Sequence, residues 1–106
     1  MSAERIAFRM TLHPGQAEEY ERRHDEIFPE LVTALKAAGV SDYSIWLDPE
    51  THHLFATLVR PVDHGLDELP LQDVVRRWWA HMGDIMATHP DDEPVQVPLR
   101  RVFQLD

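Results

Sequence analysis

The sequence contains no cysteine, which excludes disulfides, thiolate-bound zinc and a cysteine nucleophile. Positive charge is scarce: ten Lys and Arg stand against nineteen Asp and Glu, for a net charge of −9 with histidine neutral. Such a surface repels a polyanion, which argues against nucleic acid and anionic membranes as partners. No apolar run approaches the roughly 20 residues of a membrane-spanning helix. The opening Met1-Ser2-Ala3-Glu4-Arg5 leads into a strand pattern without an apolar signal core, which predicts a cytoplasmic protein. A glycine-rich phosphate loop, a Gly-x-Ser-x-Gly elbow and an ordered Ser/His/Asp set are also missing, so neither nucleotide binding nor serine hydrolysis is expected. What is there is 106 residues, 43 % hydrophobic. That is enough for one domain spanning residues 1–106 with a modest core, to which self-association adds burial.

Hydrophobic periodicity orders the chain. Ile6, Phe8, Met10 and Leu12 alternate with Ala7, Arg9 and Thr11, a period of two that predicts a strand. His13-Pro14-Gly15 breaks it. Ala17, Tyr20, His24, Ile27, Phe28, Leu31, Leu35 and Ala38 then form a helical stripe opposite a nearly all-charged face. Pro29 lies inside that stripe and predicts either a kink or a second helix with proline at its first position. Gly39 closes the segment as a C′ residue. Tyr43–Leu47 and Leu54–Arg60 read as a hairpin around Asp48-Pro49-Glu50-Thr51. Pro61–Pro70 reads as a loop or short helical stretch. Leu71, Val74, Val75, Trp78, Met82, Ile85 and Met86 mark a second stripe. An acidic loop follows at His89–Pro94, and Val95–Leu105 is expected as a last strand, interrupted at Pro98. The order β-α-β-β-α-β predicts an α+β, ferredoxin-like fold with both helices on one face of a four-stranded antiparallel sheet.

That arrangement makes the inner sides of both helices and one side of the hairpin converge. Tyr20, His24, Tyr43, Trp78 and Trp79 can therefore share one cavity. An imidazole titrates near pH 6.5 and exchanges protons at neutrality. Its place on an apolar stripe is costly unless something hydrogen-bonds it. Indoles offer an apolar face for C–H groups and an N–H for hydroxyls, which suits sugars. Adjacent helix positions differ by about 100°, so Trp78 takes the stripe and Trp79 its edge. Glu21-Arg22-Arg23-His24 has the Glu-x-x-His spacing of di-iron bundles, but the other match, Glu50-Thr51-His52-His53, falls in a turn. No metal and no cofactor are expected.

Tyr20-Glu21-Arg22-Arg23-His24, Pro29-Glu30-Leu31, Tyr43-Ser44-Ile45-Trp46-Leu47-Asp48, Leu54-Phe55-Ala56, Arg77-Trp78-Trp79 and Val102-Phe103 follow one another as in the L-rhamnose mutarotases, which this chain resembles over almost its whole length. Phe28 stands where that family usually has tryptophan, and the stretch from Val59 to Asp73 differs. The resemblance implies a homodimer of ferredoxin-like protomers, a dimeric α/β barrel, that interconverts the α and β anomers of L-rhamnose. It also implies that His24 is the proton donor and that Tyr20, Tyr43, Trp78 and Trp79 contact the sugar. General acid–base catalysis fits ring opening and reclosure without a metal. Asp84, expected on the second helix, and a water are both open as the second proton-transfer partner. Two other readings compete: a cofactor-independent monooxygenase of the dimeric α/β-barrel type, and a non-catalytic sugar-binding module. The open side of the sheet carries apolar residues, so a homodimer with sheets face to face is expected.

Overall fold

A computed structural model describes residues 2–106. β1 spans Ala3–Thr11, α1 Ala17–Asp25, α2 Pro29–Ala37, β2 Ser41–Leu47, β3 His53–Pro61, α3 Asp73–Met82 and β4 Val97–Leu99, with a 3-10 helix over Leu66–Leu71. The four strands form one sheet in the order β2-β3-β1-β4, antiparallel throughout. This is the ferredoxin-like arrangement.

Pro29 settles how the long stripe folds. Glu26 to Phe28 leave the helical conformation and Pro29 starts α2 in its first turn, where its missing N–H costs no hydrogen bond. The backbone bonds Gly39 N–H to the Lys36 carbonyl and Val40 N–H to the Leu35 carbonyl, both 3.0 Å, form a Schellman closure around Gly39 at φ +102°. A Cβ there would lie 2.7 Å from Pro61 Cδ, so the glycine also lets α2 end against β3.

Register decides which side chains meet the helices. Ile6 opposes Leu58, Phe8 Ala56 and Met10 Leu54 across β1 and β3. Ala56 opposes Ile45, and Leu54 opposes Leu47, across β2 and β3. These residues share one face, and α1, α2 and α3 cover it with Tyr20, Leu31, Val75, Trp78 and Met82. Each aliphatic side chain sealed there contributes about 1.5–3 kcal/mol.

Between Ser41 and Ser44 two residues of β2, Asp42 and Tyr43, run against one of β3, Leu58. This is a bulge at Asp42, whose φ of 47° lies in the left-handed region and whose carboxylate pairs with Arg5. The bulge reverses the facing of β2, so that Tyr43 joins Ile45 and Leu47 on the helix-covered side.

The end of the chain departs from the strand expected at Val95–Leu105. Only Val97–Leu99 pairs with β1, and residues 100–106 carry no regular structure. Pro98 lies at the middle of β4, opposite Phe8, and interrupts nothing. β4 is an edge strand, and an edge tolerates the missing N–H where it turns outward. No helix among the described residues is long and apolar enough to cross a membrane.

Candidate active site

A half-open cavity of about 1050 Å³ lies between the helices and the covered sheet face. Tyr20 and His24 of α1, Tyr43 of β2, and Trp78 and Trp79 of α3 all line it. The rings are in mutual contact. His24 lies 4.4 Å from Tyr20 between centroids and 5.3 Å from Trp78, the latter edge-to-face at 86°. Phe28 meets the same indole at 5.1 Å and 84°. These separations fall in the favourable range for aromatic pairs, so the imidazole is held between a phenol and an indole. Phe28 thus packs against Trp78 and, at 5.6 Å, against His81.

His24 Nδ1–H donates to the Tyr20 carbonyl at 3.0 Å. A carbonyl only accepts, so Nδ1 carries the proton and Nε2 of the neutral ring keeps a free lone pair. Burial moves the imidazole pKa down from its ordinary value, against smaller upward effects of the Tyr20 carbonyl and Asp25. At neutral pH the ring is therefore neutral and its Nε2 is an acceptor. It becomes a donor only after it has taken a proton.

The two phenols behave in the opposite sense. Desolvation pushes Tyr43 up to about 12 and raises Tyr20 further, with the nearby Tyr43 adding to the effect on Tyr20. Tyr43 is 39 % exposed as a residue and lines the cavity. Both hydroxyls stay protonated at neutral pH and are able to donate a hydrogen bond.

Asp84 is not placed for proton transfer. It lies beyond the end of α3 rather than on it, outside the cavity lining. Arg23 holds it through Nη1 at 2.7 Å and Nη2 at 3.3 Å. That guanidinium keeps the carboxyl below its ordinary range, so it has no proton to give.

Sequence reasoning missed the polar rim. Glu18 and Glu21 read as part of the solvated face of the first helix, and Glu93 as part of a solvated loop, yet all three line the cavity, with Arg60, Asp67 and Gln96. The short 3-10 helix supplies Leu66 and Leu69 to the wall. Their three-residue spacing was the available signal in that stretch. Among the described residues no three His, Asp or Glu side chains come together as a metal site requires.

Fold and cavity together define a ferredoxin-like α+β protein whose aromatic-walled cleft presents one proton-accepting imidazole. The comparisons narrow this class. The L-rhamnose mutarotase family profile matches residues 5–105, and the chain belongs to that family. An L-rhamnose mutarotase of Acidiphilium cryptum is 64 % identical over 102 residues, covering 96 % of this chain and 98 % of the relative. One of Burkholderia cenocepacia is 60 % identical over 103 residues, covering 97 % and 99 %. The crystal structure of L-rhamnose mutarotase FA22100 from Formosa agariphila overlays with a TM-score of 0.90 at 45 % identity, covering 97 % of this chain and 99 % of that one. A Bacteroides thetaiotaomicron structure named for antibiotic biosynthesis monooxygenases overlays at a TM-score of 0.60 with 12 % identity. That is a likeness of fold alone, and fold does not fix function.

Proposed function

We propose that this chain exchanges the α and β anomers of L-rhamnose and that His24 carries the proton. The observation behind the reading is the Nδ1–H bond to the Tyr20 carbonyl, which leaves Nε2 free beside the aromatic wall. Nε2 removes the proton of the anomeric hydroxyl. The C1–O5 bond breaks as the C1=O1 bond forms, and the ring oxygen takes a proton from a water that the half-open cavity admits. The freed C1–C2 bond rotates, and O5 closes on the other face of the carbonyl, returning its proton to the hydroxide left by that water as Nε2 returns its own to O1. Tyr20, Tyr43 and the two indoles hold the hydroxyls and the C–H face. General acid–base catalysis of this kind supplies typically 10²–10⁴-fold, and every step uses groups of this chain and water. Saturation transfer between the anomeric protons of L-rhamnose tests it. Exchange should quicken on adding protein and be indifferent to a chelator. Loss in chelator that a divalent ion restores would defeat the cofactor-free mechanism.

The same reading includes a homodimer. On the uncovered face of the sheet, Trp46 opposes Phe55, Ala7 opposes Leu99, and the tail beyond β4 leaves Val102, Phe103 and Leu105 in solvent. An apolar surface of this kind favours a second copy, face to face about a two-fold axis. Sedimentation showing only the 12.3 kDa protomer at micromolar concentration would refute it.

A further inference from the structure

Two arginines stand side by side on α1 and do different things. Arg22 stays on its own helix, paired with Glu19 at 2.6 Å and Glu26 at 2.5 Å. Arg23 leaves it: with a side chain only 12 % exposed, it bonds Glu19 at 2.6 Å, the His81 carbonyl at 2.6 Å and Asp84 at 2.7 Å. His81 is in the last turn of α3, where carbonyls lack helical partners and a cation is favoured. Arg23 thus caps α3 one turn past Trp78 and anchors the residue immediately before His24.

His24 needs such an anchor. It is the penultimate residue of α1, which ends at Asp25 ahead of three non-helical residues. A last helical turn frays unless something ties it. Tyr20 and Trp78 are sealed in the core at 9 % and 8 % exposure, whereas His24 is half-buried. The Nδ1 bond to the Tyr20 carbonyl spans four residues and holds only while that turn stays helical.

We infer that Arg23 is a positioning residue: by clamping the last turn of α1 to the end of α3 it fixes His24 in its Nδ1–H tautomer and at its distance from the indole wall. The inference rests on the proton-transfer role proposed for His24. A displacement of about 1 Å at a reacting group costs as much as 10²-fold in rate. Arg23→Met should therefore lower kcat for anomer exchange at least about tenfold, with KM within about twofold because the binding groups are held by the core. Arg23→Lys, which cannot engage three acceptors in a planar fork, should fall between. Arg22→Met removes an equal charge and two bonds to Glu19, where Arg23 makes one, but no contact with α3, and should keep kcat. Nitrogen NMR of the ring should show one tautomer in the wild type and a mixture in Arg23→Met.

A folded Arg23→Met with wild-type kcat and tautomer, reduced only in Tm, would overturn the inference. Should that variant not fold, Arg23→Lys and Asp84→Asn decide, and unchanged kcat and tautomer in both would overturn it equally. Wild-type protein that does not speed exchange, or His24→Ala that keeps the full rate, would instead sink the functional reading. Wild-type activity lost in His24→Ala but kept in both Arg23 variants would sink this inference alone.

Discussion

Along β3, Leu54, Ala56 and Leu58 are sealed under the helices at 1, 0 and 3 % exposure, while the open face bears Phe55 and, opposite it, a Trp46 that is 69 % exposed. The two faces are built from alternate residues of one strand: the covered one is apolar, and the open one sets Phe55 and Trp46 beside Arg9, Thr57 and Ser44. A chain of this length has helices enough for one of them. The covered face gains a cavity, because α1 and α3 bring rings together above the sheet without filling the space between. The open face carries none of these rings. Catalysis and assembly should thus be separable, although a strand residue on one side is a single peptide unit from the other.

The sharpest attempt to break that separation is on the covered side. His24→Ala, and His24→Gln with less change in volume, should remove most of the rate enhancement, on the order of 10²–10⁴-fold, and leave the sedimentation of the protein unchanged. If the ring served only as packing, both variants would lose thermal stability and keep their activity per folded molecule.

Trp46→Lys tests the other face. In the face-to-face dimer proposed above, an ammonium at this position of the edge strand β2 would lie near Arg9 rather than near a carboxylate, and loss of an interface tryptophan commonly costs about 2 kcal/mol or more, roughly a thirtyfold weaker dimer. Sedimentation should show dissociation, while anomer exchange persists in the folded protomer. A variant that sediments as the wild type does would place the interface elsewhere. One that dissociates and also loses exchange would show that each cavity depends on the second copy.

Tyr20 asks a smaller question within the covered side, since it offers the site two different groups. Its carbonyl holds Nδ1 of His24 and its side chain lines the cavity. Tyr20→Phe keeps the first and deletes the second, so the loss is one hydrogen bond, about 0.5–1.5 kcal/mol. KM for L-rhamnose should rise about two- to tenfold with kcat little changed. A fall in kcat comparable to that of His24→Ala would make the phenol a proton-transfer group.

Much of this was legible because the signals are local. The period of two in Ile6 to Leu12 marks β1, the stripe from Ala17 places Tyr20 and His24 inward, and Pro29 allowed the helix break that occurs. What escaped depends on partners distant in sequence. Val102, Phe103 and Leu105 look like strand residues, but a strand exists only where a neighbour supplies hydrogen bonds, and β1 pairs with β4 only across Ala7 to Arg9. Asp84 looked available for proton transfer because nothing near it in sequence hints at Arg23, 61 positions away. Glu93 reads as a solvated loop carboxylate until the fold brings it to the cavity.

The smallest effect is in the pH dependence. Burial lowers the His24 pKa below its ordinary value of 6.5, so between the two values the folded protein binds fewer protons than the unfolded chain. Stability then rises with pH across that window. The His24 contribution is complete above pH 6.5 and is lost as pH falls through the folded-state pKa. Activity should follow the same group, because only neutral Nε2 accepts the anomeric proton. The acid limb of kcat/KM should therefore have its midpoint below 6.5, and an imidazole NMR titration should give the same midpoint. In Trp46→Lys the limb should not move, since the open face has no contact with the ring. A basic limb in its place, with activity lost as the imidazole deprotonates, would mean that the ring enters the cycle protonated. His24 would then act first on the ring oxygen, and the order of the two proton transfers would be reversed.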